Sequence, residues 1–314
     1  MTRLKEAKKQ IIKQFNIDPD DYLPKNDLDA WEKNKSINFL YNKMFICDFE
    51  NLNNAPLPIE PPKYPIVIKP IINLYGMGLN SKIINNKKEF YDNWLSNTFW
   101  CEYLEGTHLS WDIVVRNGKI IYFVCFEGHK YSDSERFGCF SYWELINHNN
   151  ITIFPNIKNL INKYLKNYTG NINLETINQK IIEVHLRMGD IDQLSVEIIK
   201  LVILNLVITD KKYDNIIKKA FIKYKPNKLK KIFLIPVWYK IKSNSDMLVI
   251  MQYLKQNWEK KIQDNQLIFF YYFDENNESF PGINKRCFLF STEYYDQINK
   301  LKYDIEYDLI KNFG

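Results

Sequence analysis

The sequence predicts an α/β (α+β) protein whose C-terminal part forms a small α/β lobe of its own. The first observation is a strand-rich region between residues 64 and 187, in which short apolar runs are separated by turn-forming residues. The second is a change of pattern near residue 228, where a strand, a helix, two strands and a final helix follow one another. With 314 residues, 46% of them hydrophobic, the chain can bury a sizeable core.

The N-terminal part is predicted to be helical and to end in an extended connector. Residues 2–15 carry apolar positions at helical spacing, and a second helical stretch is predicted over residues 28–44. Residues 51–65, NLNNAPLPIEPPKYP, contain too many prolines to continue a helix. We therefore assign residues 1–60 to an N-terminal helical segment and connector.

The middle of the chain, residues 61–227, is predicted to form the core domain. YPIVIKP at residues 64–70 has the β-branched run of a buried strand, and a glycine-containing loop follows it. Asn117-Gly118 is a strong signal for a hairpin turn. The other predicted elements are helices at 87–97 and 155–167, a hairpin at 172–186 and mostly helical residues at 193–224. Residues 228–314 form the C-terminal α/β lobe.

Composition and targeting signals limit the function classes. The net charge of +6 and the pI near 8.8 favour anionic ligands only mildly, and the lysines are scattered, which argues against a dedicated nucleic-acid role. The five cysteines have no paired spacing, which indicates reduced thiols. The N-terminus lacks a signal peptide, and the most apolar run, residues 201–208, is too short to cross a bilayer. We therefore expect a cytoplasmic protein that is not bound to a membrane.

An acidic hairpin at residues 171–187 presents one polar face if its turn contains three residues. With Asn178-Gln179-Lys180 as the turn, antiparallel pairing sets Glu175 opposite Glu183. The polar residues that then share a face are Asn171, Asn173, Glu175, Glu183, His185 and Arg187. The residues predicted for the core face are Ile172, Leu174, Ile182, Val184 and Leu186. A two-residue turn would instead send the two glutamates to opposite faces, so the register remains open.

Two carboxylates that face each other across a strand pair repel, so a cation is expected between them. Mg²⁺ suits Glu175 and Glu183, because it takes one or two carboxylates and completes its shell with phosphate oxygens and water. Arg187, further along the same face, could bind an anionic substrate or stabilise a transferring phosphate. The alternative is a solvated polar face with an incidental salt bridge.

Several segments together resemble the ATP-grasp family. They are YPIVIKP and the glycine loop, then CEYLEG, then NLE and IIEVHLR, which occur in the family's usual order over roughly residues 64–190. The resemblance implies two α/β lobes that enclose ATP, with the C-terminal lobe as an addition. It does not extend to the P-loop type of phosphate site, since no G-K-[ST] follows the glycines.

The resemblance implies roles for individual residues. Lys69 and the loop amides of Gly76 and Gly78 would contact the nucleotide phosphates. The residues implied for the adenine are Glu102 and the backbone of Tyr103 and Leu104, and His108 is implied for the ribose. The implied metal ligands are Glu183, its partner Glu175, and His185, which stands where the family commonly has asparagine. Arg187 matches a frequent substrate- or phosphate-binding arginine, and Lys69 and Arg187 are the implied catalytic residues.

Two departures from the family pattern leave questions open. Only about sixty residues precede Lys69, so the usual N-terminal α/β domain is too short here. A second phosphate-contacting lysine is expected upstream, and Lys33, Lys35 and Lys43 are all candidates.

The resemblance implies an ATP- and Mg²⁺-dependent ligase of the carboxylate–amine type. A small-molecule or peptide carboxylate would be activated as an acyl-phosphate, and an amine or similar nucleophile would displace the phosphate. The alternatives are an ATP-binding protein whose ligase activity has decayed, which the replacement at His185 favours, and a kinase on the same scaffold.

Overall fold

The computed structural model describes residues 3–15, 23–75, 78, 80–131, 139–147, 150–189, 200, 203, 231–240, 247–264, 269–273 and 284–313. The chain divides into two compact units. The first comprises Met1–Leu74, Ser81–Glu127 and Ile146–Leu229, and the second comprises Tyr75–Asn80, Gly128–Leu145 and Lys230–Gly314.

The helices are α1 (Arg3–Phe15), α2 (Asp27–Lys33), α3 (Lys43–Phe49), α4 (Lys87–Asp92), α5 (Pro155–Tyr164), α6 (Met247–Asp264) and α7 (Tyr295–Phe313), with a 3₁₀ turn at Asn38–Tyr41. The strands are β1 (Asn54–Pro56), β2 (Ile66–Pro70), β3 (Lys82–Ile84), β4 (Thr98–Glu102), β5 (His108–Arg116), β6 (Lys119–Lys130), β7 (Phe140–Leu145), β8 (Gly170–Ile177), β9 (Lys180–His185), β10 (Phe233–Lys240), β11 (Phe269–Phe273) and β12 (Asn284–Thr292).

The predicted helix at 28–44 is interrupted. The chain forms α2, the 3₁₀ turn and α3 there instead, because asparagines stop and restart the helical backbone. Asn42 adopts an extended conformation, and its side-chain oxygen accepts hydrogen bonds from the backbone N–H groups of Met44 and Phe45 at 3.0 and 3.2 Å. Such an N-cap satisfies donors that a continuous helix would have bonded to its own carbonyls. As a result, Lys43 lies at the first position of α3.

A small antiparallel sheet in the first unit has the strand order β1–β4–β2–β3. It confirms the strand predicted at YPIVIKP. The register pairs Lys69 with Phe99 and Val67 with Cys101, which puts these four side chains on one face. That face also packs against α3, because Cys47, Phe99 and Cys101 belong to one buried apolar cluster.

The other sheet of the first unit has the order β6–β5–β8–β9. The turn between β5 and β6 is the predicted Asn117-Gly118 turn, in which both residues have positive φ (49° and 71°). Trp111 on β5 is fully buried, and its indole N–H donates to the Thr176 hydroxyl on β8 at 3.1 Å. Helix α5 covers this apolar face with Ile157 and Leu160, so the opposite face of the sheet is left for polar side chains.

The second unit contains an antiparallel sheet with the order β11–β12–β10–β7 and helices α6 and α7. Its core joins sheet residues such as Val237 and Phe288 to Leu254 of α6 and Ile305 of α7. The predicted strand–helix–strand–strand–helix order is confirmed for this part of the chain. Of the mostly helical residues predicted at 193–224, all but 200 and 203 lie outside the described residues.

Among the helices that the structure describes, none is both long and apolar enough to cross a bilayer.

Candidate functional site

The β8–β9 hairpin carries the predicted glutamate pair, although its turn differs from the predicted one. The strands end at Ile177 and resume at Lys180, so the turn is Asn178–Gln179, with φ values of 47° and 66°. These are the positive angles of a two-residue hairpin turn. The three-residue turn is therefore wrong, yet Glu175 still lies opposite Glu183.

A β-bulge reconciles the short turn with this pairing. Thr176 pairs with Ile181 and Glu175 pairs with Glu183, so Ile182 is an extra residue without a partner on β8. One extra residue shifts the alternation by one position and returns Glu183 to the face of Glu175. Ile182 is consequently half-buried, so its predicted core position is wrong, and Ile181 lies in the core instead.

The polar face extends onto β5. Ser110 pairs with Glu175, and Asp112 pairs with Asn173, which in turn pairs with His185. The Asn173 amide donates to the Ser110 hydroxyl at 3.0 Å. Three strands thus contribute polar side chains to one continuous face above the apolar core.

Glu183 is held by two cationic side chains of the protein. Its Oε1 atom lies 2.8 Å from the Lys43 ammonium and 3.2 Å from Nε2 of His185. Burial raises the pKa of Glu183, but Lys43 and His185 outweigh burial, so the pKa lies well below its usual value. Glu183 is therefore a carboxylate at neutral pH.

Glu175 has a partner of its own. The Nε2 atom of His108 lies 2.7 Å from Glu175 Oε2. Burial raises the pKa of Glu175 and the hydrogen bond from His108 lowers it, with a net shift below the usual value. Across the carboxylate pair, Lys43 and His185 supply part of the positive charge that was expected from a metal. The residue implied for ribose, His108, contacts a carboxylate here.

Asp27 connects the side chain of His185, the last residue of β9, with that of Arg187, two residues further along the chain. Its Oδ1 atom lies 2.9 Å from Nδ1 of His185, and its Oδ2 atom accepts a hydrogen bond from Nη2 of Arg187 at 2.9 Å. Burial lowers the pKa of His185, but the carboxylates of Asp27 and Glu183 together outweigh burial and raise the pKa to about 9. The pKa of Asp27 itself is lowered, because His185 and Arg187 together outweigh the effect of its burial.

Of the three upstream lysines, the structure brings only Lys43 to the hairpin. Lys33 and Lys35 pair with Asp29 and Glu32 on their own helical segment, at 3.2 and 3.5 Å. Lys43 is buried, and the Asn42 cap that begins α3 aims it at β9.

Lys69 reaches the same strand from the small sheet. Its ammonium lies 3.5 Å from the backbone carbonyl of Ile182, the extra residue of the bulge. Burial lowers the pKa of Lys69, but Cys101, Cys47 and Glu183 raise it above its usual value. The lysine is therefore charged. Lys43 and Lys69 together contact neighbouring residues of β9 from two different elements.

The residues implied for adenine end β4 and continue beyond it. Glu102 is the last residue of β4, and its carboxylate accepts a hydrogen bond from the Asn53 amide at 2.8 Å. Leu104 packs against the buried cluster of Cys47 and Cys101, and Tyr103 is half-buried. Of the two loop glycines, Gly78 has φ 61° and belongs to the second unit, and Gly76 lies outside the described residues.

Glu175 and Glu183 are the two facing carboxylates that could hold a magnesium ion. In the described part of the chain, no group of three or more His, Cys, Asp and Glu side chains could enclose a metal ion. Mg²⁺ needs only one or two carboxylates when phosphate oxygens and water complete its shell. Glu175 and Glu183 face each other across the β8–β9 pair and so provide these two carboxylates.

Asp27 and Tyr41 belong to this polar cluster, although the sequence does not predict either of them as a site residue. Asp27 is the first residue of α2, where an acidic residue is common because it interacts favourably with the helix dipole. The Tyr41 hydroxyl donates to Asp27 Oδ1 at 3.0 Å and accepts from the backbone N–H of Leu186 at 3.0 Å. No local pattern indicates the contacts of Asp27 and Tyr41 with residues 185–187, since these contacts join residues 145 to 160 positions apart.

Comparison with solved structures identifies the fold. An L-amino acid ligase from Bacillus licheniformis superposes with a TM-score of 0.55 at 12% identity, over 96% of this chain and 82% of that one. An N5-carboxyaminoimidazole synthetase from Staphylococcus aureus, complexed with ADP, gives 0.52 at 12% identity, over 85% and 72% of the two chains.

A carboxyaminoimidazole ribonucleotide synthase from Aspergillus clavatus, complexed with ATP, gives a TM-score of 0.53 at 10% identity, over 89% of this chain and 75% of that one. No protein-family model and no curated protein sequence matches the chain. The structural likeness covers most of the chain, and the order of strands and motifs agrees with it. The chain has the ATP-grasp fold.

Proposed function

We propose that the chain is an ATP- and Mg²⁺-dependent ligase that activates a carboxylate as an acyl-phosphate and transfers the acyl group to an amine. The observation that carries the proposal is the meeting of Lys43 and Lys69 at the strand that bears Glu183. Two buried cations beside paired carboxylates are the groups that phosphates and Mg²⁺ require. Two of the similar structures were solved with ATP or ADP.

The nucleotide would use residues from several elements. We propose that Lys43, Lys69 and the amides of Gly76 and Gly78 bind the phosphates, and that Glu102 and the backbone of Tyr103 and Leu104 bind the adenine. We propose His108 for the ribose. We also propose that the chain is organised as an N-terminal helical segment and connector (1–60), a core domain (61–227) and a C-terminal lobe (228–314).

Magnesium would be held by Glu175 and Glu183. When bound, it supplies positive charge to the phosphate oxygens. The family resemblance implies His185 as a further ligand, but both ring nitrogens of His185 lie against carboxylate oxygens. A histidine that donates from both nitrogens has no lone pair for a metal. We therefore propose that His185 serves as a cation beside Glu183.

The reaction needs no nucleophilic side chain. An oxygen of the substrate carboxylate attacks the terminal phosphorus of ATP, and ADP leaves with the electrons of the broken P–O bond. The amine then attacks the acyl carbon, loses a proton, and displaces inorganic phosphate. Arg187, beside Asp27, would steer the carboxylate, and the buried lysines would stabilise the charge on the transferring group. Small-molecule or peptide carboxylates and amines are the substrates expected.

The second candidate function is nucleotide binding without ligation. It is favoured by the internal partners of Glu183 and Arg187, since Lys43 and Asp27 already neutralise these side chains. A kinase on the same scaffold would use the same phosphate contacts and would release a phosphorylated product.

Product analysis tests the proposal. The full chain is incubated with MgATP and a panel of carboxylates and amines, singly and in pairs. A ligase forms ADP and phosphate in step with an amide and only when both co-substrates are present. A phosphorylated single substrate means a kinase, and bound nucleotide without turnover supports the binding protein. Glu183→Gln should abolish turnover, and Glu105→Gln, an exposed glutamate, is the matched control.

A further inference from the structure

Asp27 lies at the end of the polar face that is farthest from Glu175, and it is enclosed by side chains that donate to it. Its side chain is 5% exposed, and it receives contacts from His185, Arg187 and Tyr41 at 2.9, 2.9 and 3.0 Å. A carboxylate with this many charged and hydrogen-bonded partners stays ionised and keeps one orientation.

One carboxylate thereby fixes two neighbouring side chains of the hairpin. Because Oδ1 holds Nδ1 of His185, the other ring nitrogen lies 3.2 Å from Glu183. A hydrogen bond to one nitrogen of a histidine sets the direction of the other. Oδ2 holds Nη2 of Arg187, whose Nη1 donates to the Met188 carbonyl at 2.9 Å.

The backbone beside these residues is fixed by the same segment. Tyr41 donates to Asp27 and accepts from the Leu186 N–H, which lies between His185 and Arg187 in the chain. His185 and Arg187 are both cationic, and the positive charge of Arg187 opposes protonation of His185. Without the Asp27 carboxylate between them, the like charges of His185 and Arg187 would repel each other, and neither side chain would be held in one orientation.

We propose that Asp27 is a positioning residue of the active site, and that it acts through His185 and Arg187. The inference rests on the proposed function, because it assigns these two side chains to the reaction. Residues 1–60 are predicted to form only a helical segment and connector. The inference implies that this segment also contributes a residue to the active site.

A different role for Asp27 would give the opposite result. A carboxylate that merely occupied Arg187 would compete with a substrate anion, so its removal would lower the KM for a carboxylate substrate or raise turnover. The burial of Asp27 and its three partners favour positioning instead.

The test compares Asp27→Asn with Asp29→Asn, a matched control on the same helix whose partners are Lys25 and Lys33. MgADP affinity is measured by calorimetry. Phosphate release from MgATP, in the presence of the carboxylate and amine pair that product analysis identifies, gives kcat and the KM for the carboxylate. Asp27→Asn should leave the affinity for MgADP within about twofold. Its kcat should fall by about 10-fold or more, as for other groups that orient active-site ligands. Asp29→Asn should match the wild type in both measurements.

A spectroscopic readout separates this inference from the proposed function. In the wild type and in Asp29→Asn, the Nδ1–H proton of His185 should resonate strongly downfield in the NMR spectrum, and Asp27→Asn should lose that signal. Tyr41→Phe, which keeps the carboxylate, should shift the signal and lower kcat less; it replaces Asp27→Asn if that variant does not fold.

A wild type that neither binds MgADP nor releases phosphate refutes the proposed function, and the NMR signal still decides on Asp27. An unchanged or raised kcat in the variants, a lowered KM, or no downfield signal in the wild type would overturn the inference.

Discussion

The ammonium of Lys43 lies 2.8 Å from the Glu183 carboxylate, although 140 residues separate them in the chain. The side chain of Lys43 is 5% exposed and that of Glu183 is 18% exposed, so the pair is poorly screened by water. The contact ties the first turn of α3 to the strand that carries the polar face.

Lys43→Ala should weaken nucleotide binding and destabilise the fold. A charge-assisted hydrogen bond contributes about 2 kcal/mol, and the buried carboxylate of Glu183 would lose its nearest cation. We expect the Kd for MgADP to rise by about 10-fold or more, and the urea midpoint to fall. Lys33→Ala, which removes an exposed lysine on α2, is the control and should change neither. Equal affinities in the two variants would contradict the role of Lys43.

Gln179→Gly should stabilise the hairpin without changing its register. Gln179 has φ 66°, an angle that costs an L-residue roughly 1 kcal/mol and costs glycine nothing. The Asn156 amide donates to the backbone carbonyl of Gln179 at 2.8 Å, and that hydrogen bond survives the substitution. We expect the free energy of unfolding in urea to rise by about 0.5–1 kcal/mol. Gln179→Ala, which keeps the strain, should give no gain; a loss of stability in Gln179→Gly would refute the turn.

The stability of the chain should fall as the pH rises through 9. The pKa of His185 is raised from 6.5 to about 9 in the folded state, because the carboxylates of Asp27 and Glu183 together outweigh burial. A group with a raised pKa contributes its stability fully below pH 6.5 and loses it as the pH rises through 9. The loss between pH 7 and 10 is on the order of 3 kcal/mol.

The measurement is urea unfolding at several pH values, without metal or nucleotide. His185→Gln removes the titrating group and provides the baseline for lysine and tyrosine ionisation. The wild type should lose more stability than His185→Gln over this range. Identical pH dependence in the two proteins would show that the pKa of His185 is not raised.

The polar face of the hairpin could be predicted because side chains alternate along a strand. The alternation needs only the positions of the residues in the chain, whereas the pairing of Glu175 with Glu183 also depends on the turn and the bulge. The turn length could not be predicted, since Asn178-Gln179 and a three-residue turn are both compatible with the sequence. The bulge at Ile182 compensates for the shorter turn. Because Ile181 and Ile182 are both apolar, the sequence does not show which of them faces the core.

The partners of the polar face could not be predicted, because they are set by tertiary packing. Lys43, Asp27 and Tyr41 reach β9 and the residue that follows it from the N-terminal segment, across 140 or more positions. Among Lys33, Lys35 and Lys43, the sequence offers no distinction. The Asn42 cap distinguishes Lys43 from the other two, because it starts α3 at Lys43 and so directs that side chain towards Glu183.

The most direct test of the nucleotide site is calorimetric titration of the full chain with MgADP. We predict binding to the wild type with a Kd below about 1 mM, in the range of typical substrate affinities. Lys69→Ala should weaken binding by about 10-fold or more, because it removes a buried cation beside Ile182. Lys82→Ala, a partly exposed lysine on β3 that contacts Asn93, should bind like the wild type. No heat of binding to the wild type at saturating MgADP, or equal affinity in Lys69→Ala, would contradict the account.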